Sequence, residues 1–429
     1  MSDTLLYILG IVIVVLGLAL SIGLHEFGHL IPAKIFGVKV PHWAIGFGPK
    51  LFSKKVGETE YSVRLIPLGG FITMIGMYPP ENAKKPDSAR PFGKSIAQAR
   101  EAHSEYFAAG DEKRTLWTRP AWQRIIIMLG GPTVNLILGL LMISIALSGI
   151  GGWTQGSKID GVVACQAQMV DAKSVCSADS AKTPAALAGL QAGDRVVSVD
   201  GVAVDTAAPF LAAVTKQPIV SHHVVVTRSG QKVSLVVTAV LGKLPTLDAK
   251  GDVVTVLRPY IGLRMGYERH AVSLGESFAY VGTSITQTFG FISKFPEQVW
   301  IAVSATVSGQ KRATDSAISV VGIGQVAGQV TASKADWLDK LYSNLMLLGS
   351  LNLALFAFNM IPVPPLYGGH VAGGVYEYLK RGWYRVRGKK GKVRVDTALM
   401  APFAQGMFVL LLLAGVLMIV VDIVNPITL

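Results

Sequence analysis

Four stretches of the chain lack the alternation of polar and apolar positions that marks surface elements. Residues 5–24 are almost wholly apolar, carry no charge and number 20, enough for a helix to cross about 30 Å of hydrocarbon. No positive region precedes them, and helix-compatible residues continue to Phe36. The pattern therefore predicts a span and not a cleaved secretory leader. Residues 125–147, the shorter 345–361, and 407–421 within a segment starting near Pro402 complete four predicted spans. Between them the texture changes. Residues 196–201 read as a strand entering an Asp-Gly turn, and 224–227 and 233–238 flank Arg228-Ser229-Gly230-Gln231 as a hairpin. Residues 183–190 read as a short capped helix ended by glycine. Glu60-Tyr61-Ser62-Val63-Arg64-Leu65-Ile66 alternates like a strand, after the turn cluster Gly46-Phe47-Gly48-Pro49 and before the break at Pro67-Leu68-Gly69-Gly70. Residues 79–118 are polar and read as a solvated surface insert.

Composition agrees with a membrane chain. Of 429 residues, 51% are hydrophobic and 16% charged, against about a quarter charged in soluble domains. The net charge of +13 would point to nucleic acid in a soluble protein; here it points to basic loops beside a bilayer, with no nucleic-acid partner. Residues 1–33 and the tail after Arg394 hold no Lys or Arg. Residues 34–124 hold 15, residues 380–394 hold 8, and the longer 151–341 holds 17. The dense flanks place the first-to-second and third-to-fourth connections in the cytoplasm, and the termini and 151–341 outside. Cys165 and Cys176 are the only cysteines. Both fall in the outer segment, where oxidation is permitted, and are expected to form a disulfide that ties down the insert between them.

His25-Glu26-Phe27-Gly28-His29 continues the first predicted span. At i and i+4 the two imidazoles share a helix face and can hold one Zn²⁺, with Glu26 beside them as base. Ionisable groups at membrane depth are costly and usually functional, which disfavours two merely buried histidines. A catalytic zinc needs a third ligand. The distant candidate is the segment Asn359-Met360-Ile361-Pro362-Val363-Pro364-Pro365-Leu366-Tyr367-Gly368-Gly369-His370, whose prolines and glycines imply irregular backbone facing a polar cavity.

With these motifs the chain resembles the site-2 protease family of intramembrane zinc metalloproteases, in its bacterial RseP-like branch with one PDZ domain. The resemblance rests on the residues just named, on Gly131-Pro132-Thr133-Val134-Asn135 in the second span, and on Pro184-Ala185-Ala186-Leu187-Ala188-Gly189-Leu190-Gln191-Ala192-Gly193-Asp194-Arg195-Val196-Val197-Ser198-Val199-Asp200-Gly201, the bacterial PDZ pattern. It implies a multi-pass protein of the bacterial inner membrane that cleaves single-pass membrane proteins, often anti-sigma factors. Its fold would be a polytopic α-helical membrane protein of four transmembrane helices, with a re-entrant β element and an extracytoplasmic α+β PDZ domain. The expected divisions are 1–37 for the first helix; 38–120 for a cytoplasmic segment with the re-entrant element at 46–70; 121–150 for the second helix; and 155–265 for the PDZ domain. There follow 266–340 for an amphipathic connector, 341–380 for the third helix and its motif, 381–400 for a basic loop, and 401–424 for the fourth helix. The resemblance implies substrate contacts at Asn359 and Asn135. An edge strand at Tyr61, Val63 and Leu65 is expected to hold an unwound substrate by strand addition, and the PDZ domain to bind a peptide or the substrate ectodomain.

One position departs. The family motif reads L-D-G-G-H, with its aspartate the third zinc ligand, and this sequence has Tyr367 there. A phenol with a reference pKa near 10 must lose a proton to match a carboxylate. Four readings stay open: an altered variant of an active parent, a natural pseudoprotease, ligation by Tyr367 itself, or substitution by His370 one turn on. Loss or weakening of activity ranks first, against the intact Glu26. The alternative function is a catalytically dead PDZ-containing membrane adaptor. A secondary transporter fits the broken helices, but not four spans without a repeat.

Overall fold

The computed structural model describes residues 2–81, 83, 85–102, 106–167, 175–216, 219–247, 253–313, 316–388 and 394–427. Residues 168–174 of the insert between the cysteines and 389–393 of the basic loop lie outside these. The chain forms two compact units, Met1–Ile150 with Ser273–Leu429, and Gly151–Val272.

The first unit is built on four helices long and apolar enough to cross a membrane. Helix α1, Asp3–Ile35, is capped by the Ser2 hydroxyl and runs through Pro32 before Gly37 turns the chain at φ +70°. Two strands follow, β1 (His42–Val56) and β2 (Thr59–Thr73). A short helix α2, Gly93–Ala102, lies within the polar insert. Helix α3, Ala121–Ser144, continues into a π-helical turn, Ile145–Ile150. Glycines set its approach to α1: a Cβ on Gly130 would lie 1.9 Å from the Gly28 carbonyl oxygen. Such close backbone contact is how helices associate where lipid removes the hydrophobic drive.

Beyond the second unit the chain re-enters with α6, Leu274–Ser293, started by a Ser273–Glu276 capping box, then α7, Phe295–Val307, and α8, Val320–Ala332. The expected amphipathic connector is thus three helices. The third span, α9, is Trp337–Asn359, tied to α1 by Asn352 donating to the Ser21 hydroxyl at 3.0 Å. An irregular stretch with a cis Pro364–Pro365 bond leads to α10, Tyr367–Val386, and the last span is α11, Ala401–Val424. Near the end of α11, buried Asp422 pairs with buried Arg312 at 2.6 Å and accepts from the Ser319 amide, clamping the α7–α8 connection.

The β1–β2 pair corrects one expectation. Trp43 and Ile45 pair with Tyr61 and Val63, and Lys54 and Phe52 pair with those same two residues from the other side. Tyr61 and Val63 are therefore interior to a curled sheet and offer no free edge, and Leu65 lies just beyond that doubly paired stretch. The chain folds back because β1 is long enough to flank β2 twice. Residues 70–73 pair only with 42–45, and residues 52–55 only with 60–63, so these segments form the open edges among the described residues.

The second unit holds a sheet in the order β10-β3-β4-β6-β7, with β5 beside β4. Its strands are β3 (Gly152–Val162), β4 (Arg195–Val199), β5 (Val202–Ala203), β6 (Ser221–Arg228), β7 (Gln231–Thr238) and β10 (Leu263–His270). Strands β8 (Val240–Leu247) and β9 (Val253–Tyr260) form a separate antiparallel pair. Two short helices, α4 (Pro184–Leu187, capped by Thr183) and α5 (Ala207–Lys216), join a core that includes Ile159, Val196, Phe210, Val226 and Ile261. The hairpin between β6 and β7 turns at Ser229 and Gly230, both at positive φ, the twist a two-residue hairpin favours. The unit is wider than the expected 155–265, because Gly152 already pairs with His270. Cys165 and Cys176 are joined by a disulfide.

Candidate metal centre

Helix α1 brings His25, Glu26 and His29 to the face packed on α3, and all three are buried. The Nδ1 of His29 lies 2.7 Å from the Ile127 carbonyl oxygen. That oxygen can only accept, so Nδ1 carries the proton and Nε2 keeps its lone pair. Asn135 Oδ1 does the same for His25, accepting from Nδ1 at 2.9 Å. The two Nε2 atoms then face one another at 3.2 Å. Two lone pairs at that distance repel unless a cation joins them. Zn–N bonds of about 2.0–2.1 Å at a tetrahedral angle separate two nitrogens by about 3.3 Å, so the pair fits a zinc ion.

The walls leave little room. A Cβ on Gly131 would come within 2.3 Å of His29 Nε2 and 2.7 Å of His25 Nε2. A Cβ on Gly70 would lie 3.1 Å from Cγ of Glu26. The Gly131–Asn135 motif is thus a wall of the site, with Asn135 holding an imidazole; this places it on His25, where a substrate contact was expected. Glu26 itself has one oxygen, Oε2, buried and without a hydrogen-bond partner. In sequence nothing marked Gly131 and Gly70 as site residues beyond their motifs, and Ile127 contributes only a backbone oxygen.

On the far side, the Tyr367 ring centroid lies 4.1 Å from that of His29 and 5.5 Å from that of His25. Helix α10 starts at this residue, and its glycines let it seat closely: a Cβ on Gly368 would meet the Ile361 carbonyl oxygen at 2.2 Å. Tyr367 therefore stands beside both imidazoles. His370 does not replace it. It lines a separate cleft with Met77, Tyr78, Pro364, Thr397 and Met400. Among the described residues no group of three His, Cys, Asp or Glu is placed to hold a metal ion. Asn359, at the end of α9, donates to the Leu355 carbonyl oxygen of its own helix at 2.9 Å.

Paired imidazoles with facing lone pairs, a buried glutamate oxygen without a partner beside the first, and four membrane-length helices are the features of the membrane metalloprotease class. The model of Peptidase family M50 matches residues 13–403. The chain belongs to peptidase family M50, the site-2 proteases. Zinc metalloprotease Rip1 of Mycobacterium tuberculosis is 30% identical over 99% of this chain and 100% of its own length. Rip1 of Mycolicibacterium smegmatis is 28% identical over 98% of each chain. Metalloprotease MmpA of Caulobacter vibrioides is 26% identical over 94% of this chain and 93% of its own. Among solved structures, the PDZ domain of the SdrC-like protein from Listeria monocytogenes aligns with 25% of this chain and 87% of that domain at 20% identity, with a TM-score of 0.15, too low to define a fold.

Proposed function

We propose that this chain is an intramembrane zinc endopeptidase that cuts single-pass membrane proteins of the anti-sigma-factor type in regulated intramembrane proteolysis, and that Tyr367 weakens it. The observation that carries the reading is the 3.2 Å approach of two unprotonated Nε2 atoms beside the unpartnered Glu26 carboxylate. A Zn²⁺ held by His25 and His29 would supply Lewis acidity to water and to the scissile carbonyl. Asn135 and the Ile127 carbonyl keep the ring protons on the outer nitrogens and the rings in place. Glu26 takes the proton of the attacking water and returns it to the leaving amide nitrogen. Tyr367 contributes a phenol where a carboxylate would need no deprotonation.

The substrate would lie extended along the open 70–73 edge, whose Gly70 abuts Glu26, exchanging helix hydrogen bonds for strand pairing. In this reading residues 38–120 and 381–400 face the cytoplasm, the β1–β2 element is re-entrant, and both termini and the second unit lie outside the inner membrane, in keeping with the charge bias. The second unit acts as a PDZ domain for a peptide or the substrate ectodomain, supported by its motif and by the capped α4 helix leading into β4.

Tyr367 also supports a second reading, a catalytically dead membrane adaptor. The test is cleavage of a single-pass model substrate by the purified full chain. The protease reading expects cleavage that is lost with 1,10-phenanthroline and restored by Zn²⁺. No cleavage by a chain that holds stoichiometric zinc selects the adaptor.

A further inference from the structure

Peptide hydrolysis makes no use of the charges on the far half of α10. Tyr376, Leu379, Trp383 and Val386 are 54%, 65%, 55% and 84% exposed. Their spacing of three, four and three residues places them on one helix face. Cations border the stripe. Lys380 Nζ lies 5.3 Å from the Tyr376 ring centroid and Arg387 Cζ 4.3 Å from that of Trp383. The opposite face is overcharged as well. Buried Glu377 pairs with Arg124 and, at 2.7 Å, with Arg381. Burial and then the neighbouring Arg124 guanidinium hold Arg394 below the usual arginine range. Two guanidiniums thus share one carboxylate, and the Arg124 Nε is buried without a hydrogen-bond partner.

Helices α9 and α11 are consecutive membrane-length helices. Residues 360–400 therefore begin and end at one membrane face, whichever face that is. A helix there with a Trp, Tyr, Leu and Val stripe bordered by Lys and Arg matches the chemistry of the headgroup layer. We propose that the C-terminal half of α10 binds the phosphate-bearing headgroups of anionic phospholipids in the bilayer the chain spans. The apolar stripe enters the acyl boundary while Lys380 and Arg387 meet the phosphates. The inference rests on the membrane placement of α9 and α11 and is independent of proteolysis. The anchored helix begins at Tyr367, so this contact fixes one end of the element that closes the metal site.

The full chain is reconstituted in nanodiscs of phosphatidylcholine alone and of phosphatidylcholine with phosphatidylglycerol, and retained lipid is measured by native mass spectrometry. Phosphatidylglycerol is expected to be enriched over phosphatidylcholine, and a brominated form should quench the fluorescence that Trp383→Phe removes. Each cation near an anionic surface is worth about a fivefold change, so the double Lys380→Gln, Arg387→Gln chain should retain phosphatidylglycerol on the order of 25-fold less tightly. Lys380→Arg with Arg387→Lys should keep it. Equal retention of the two lipids by the unaltered chain overturns the proposal without any variant. So does tight binding of a soluble polyanion that phosphatidylglycerol does not displace, which would assign the surface to an acidic macromolecule.

Discussion

On one side of the metal site, α1 supplies two imidazoles whose protons are already assigned by Asn135 and the Ile127 carbonyl of α3. On the other, α10 supplies a tyrosine whose ring centroid lies 4.1 Å from that of His29 and 5.5 Å from that of His25, and among the described residues no third His, Cys, Asp or Glu joins the pair as a metal-binding group. The first wall is built in advance and needs only an ion. The second must either give up a phenolic proton or serve as an apolar lid. The contrast separates two things usually found together in a hydrolytic site: the architecture that aims ligands, and the charge that completes them. In the function proposed above, the architecture is complete and the charge is short by one.

The sharpest way to break that contrast is Glu26→Gln. Glu26 belongs to the prepared wall as base and not as ligand, so cleavage should fall by about 100- to 10,000-fold while zinc content stays unchanged by metal analysis. Undiminished turnover would remove Glu26 from the mechanism. Gly131→Ala tests the wall itself. Its added methyl would lie 2.3 Å from His29 Nε2, so the rings must separate and zinc should be lost at concentrations that saturate the unaltered chain. Zinc retained at full stoichiometry would show that α3 can yield. Asn135→Leu keeps the volume and removes the acceptor for His25. Loss of such a partner typically weakens metal binding by about 10- to 100-fold, and competition with a chromophoric chelator measures it. His370→Ala should change zinc affinity by less than about twofold, because a residue away from the metal makes no bond to lose; a larger drop would bring His370 back as a ligand.

Much of this was legible in the chain. Twenty uncharged apolar residues before His25 can only be placed in lipid at low cost, and an i,i+4 pair on that helix must share a face. The strand-turn-strand around Ser229 and Gly230 was readable because positive φ at two successive positions has so few sequence solutions. Other features had no local signal. That Tyr61 and Val63 are flanked on both sides depends on β1 bending back along β2, which is a matter of register and not of alternation. The role of Asn135 depends on α3 crossing α1 at Gly28 and Gly130, a contact between residues about a hundred positions apart. His370 shared a helix face with Tyr367 at i,i+3, and only the seating of α10 against residues 360–364 turns it into a different cleft.

Zinc stoichiometry and model-substrate cleavage, measured side by side for the unaltered chain and Tyr367→Asp, bear most directly on the central claim that the prepared wall lacks only a charge. A carboxylate at that position needs no deprotonation at neutral pH. The account expects Tyr367→Asp to bind zinc at least about tenfold more tightly, equivalent to about 1.4 kcal/mol, and to cleave faster in the same preparation. An unaltered chain that already binds zinc and cleaves as well as the aspartate form would contradict it, and would make Tyr367 a working ligand.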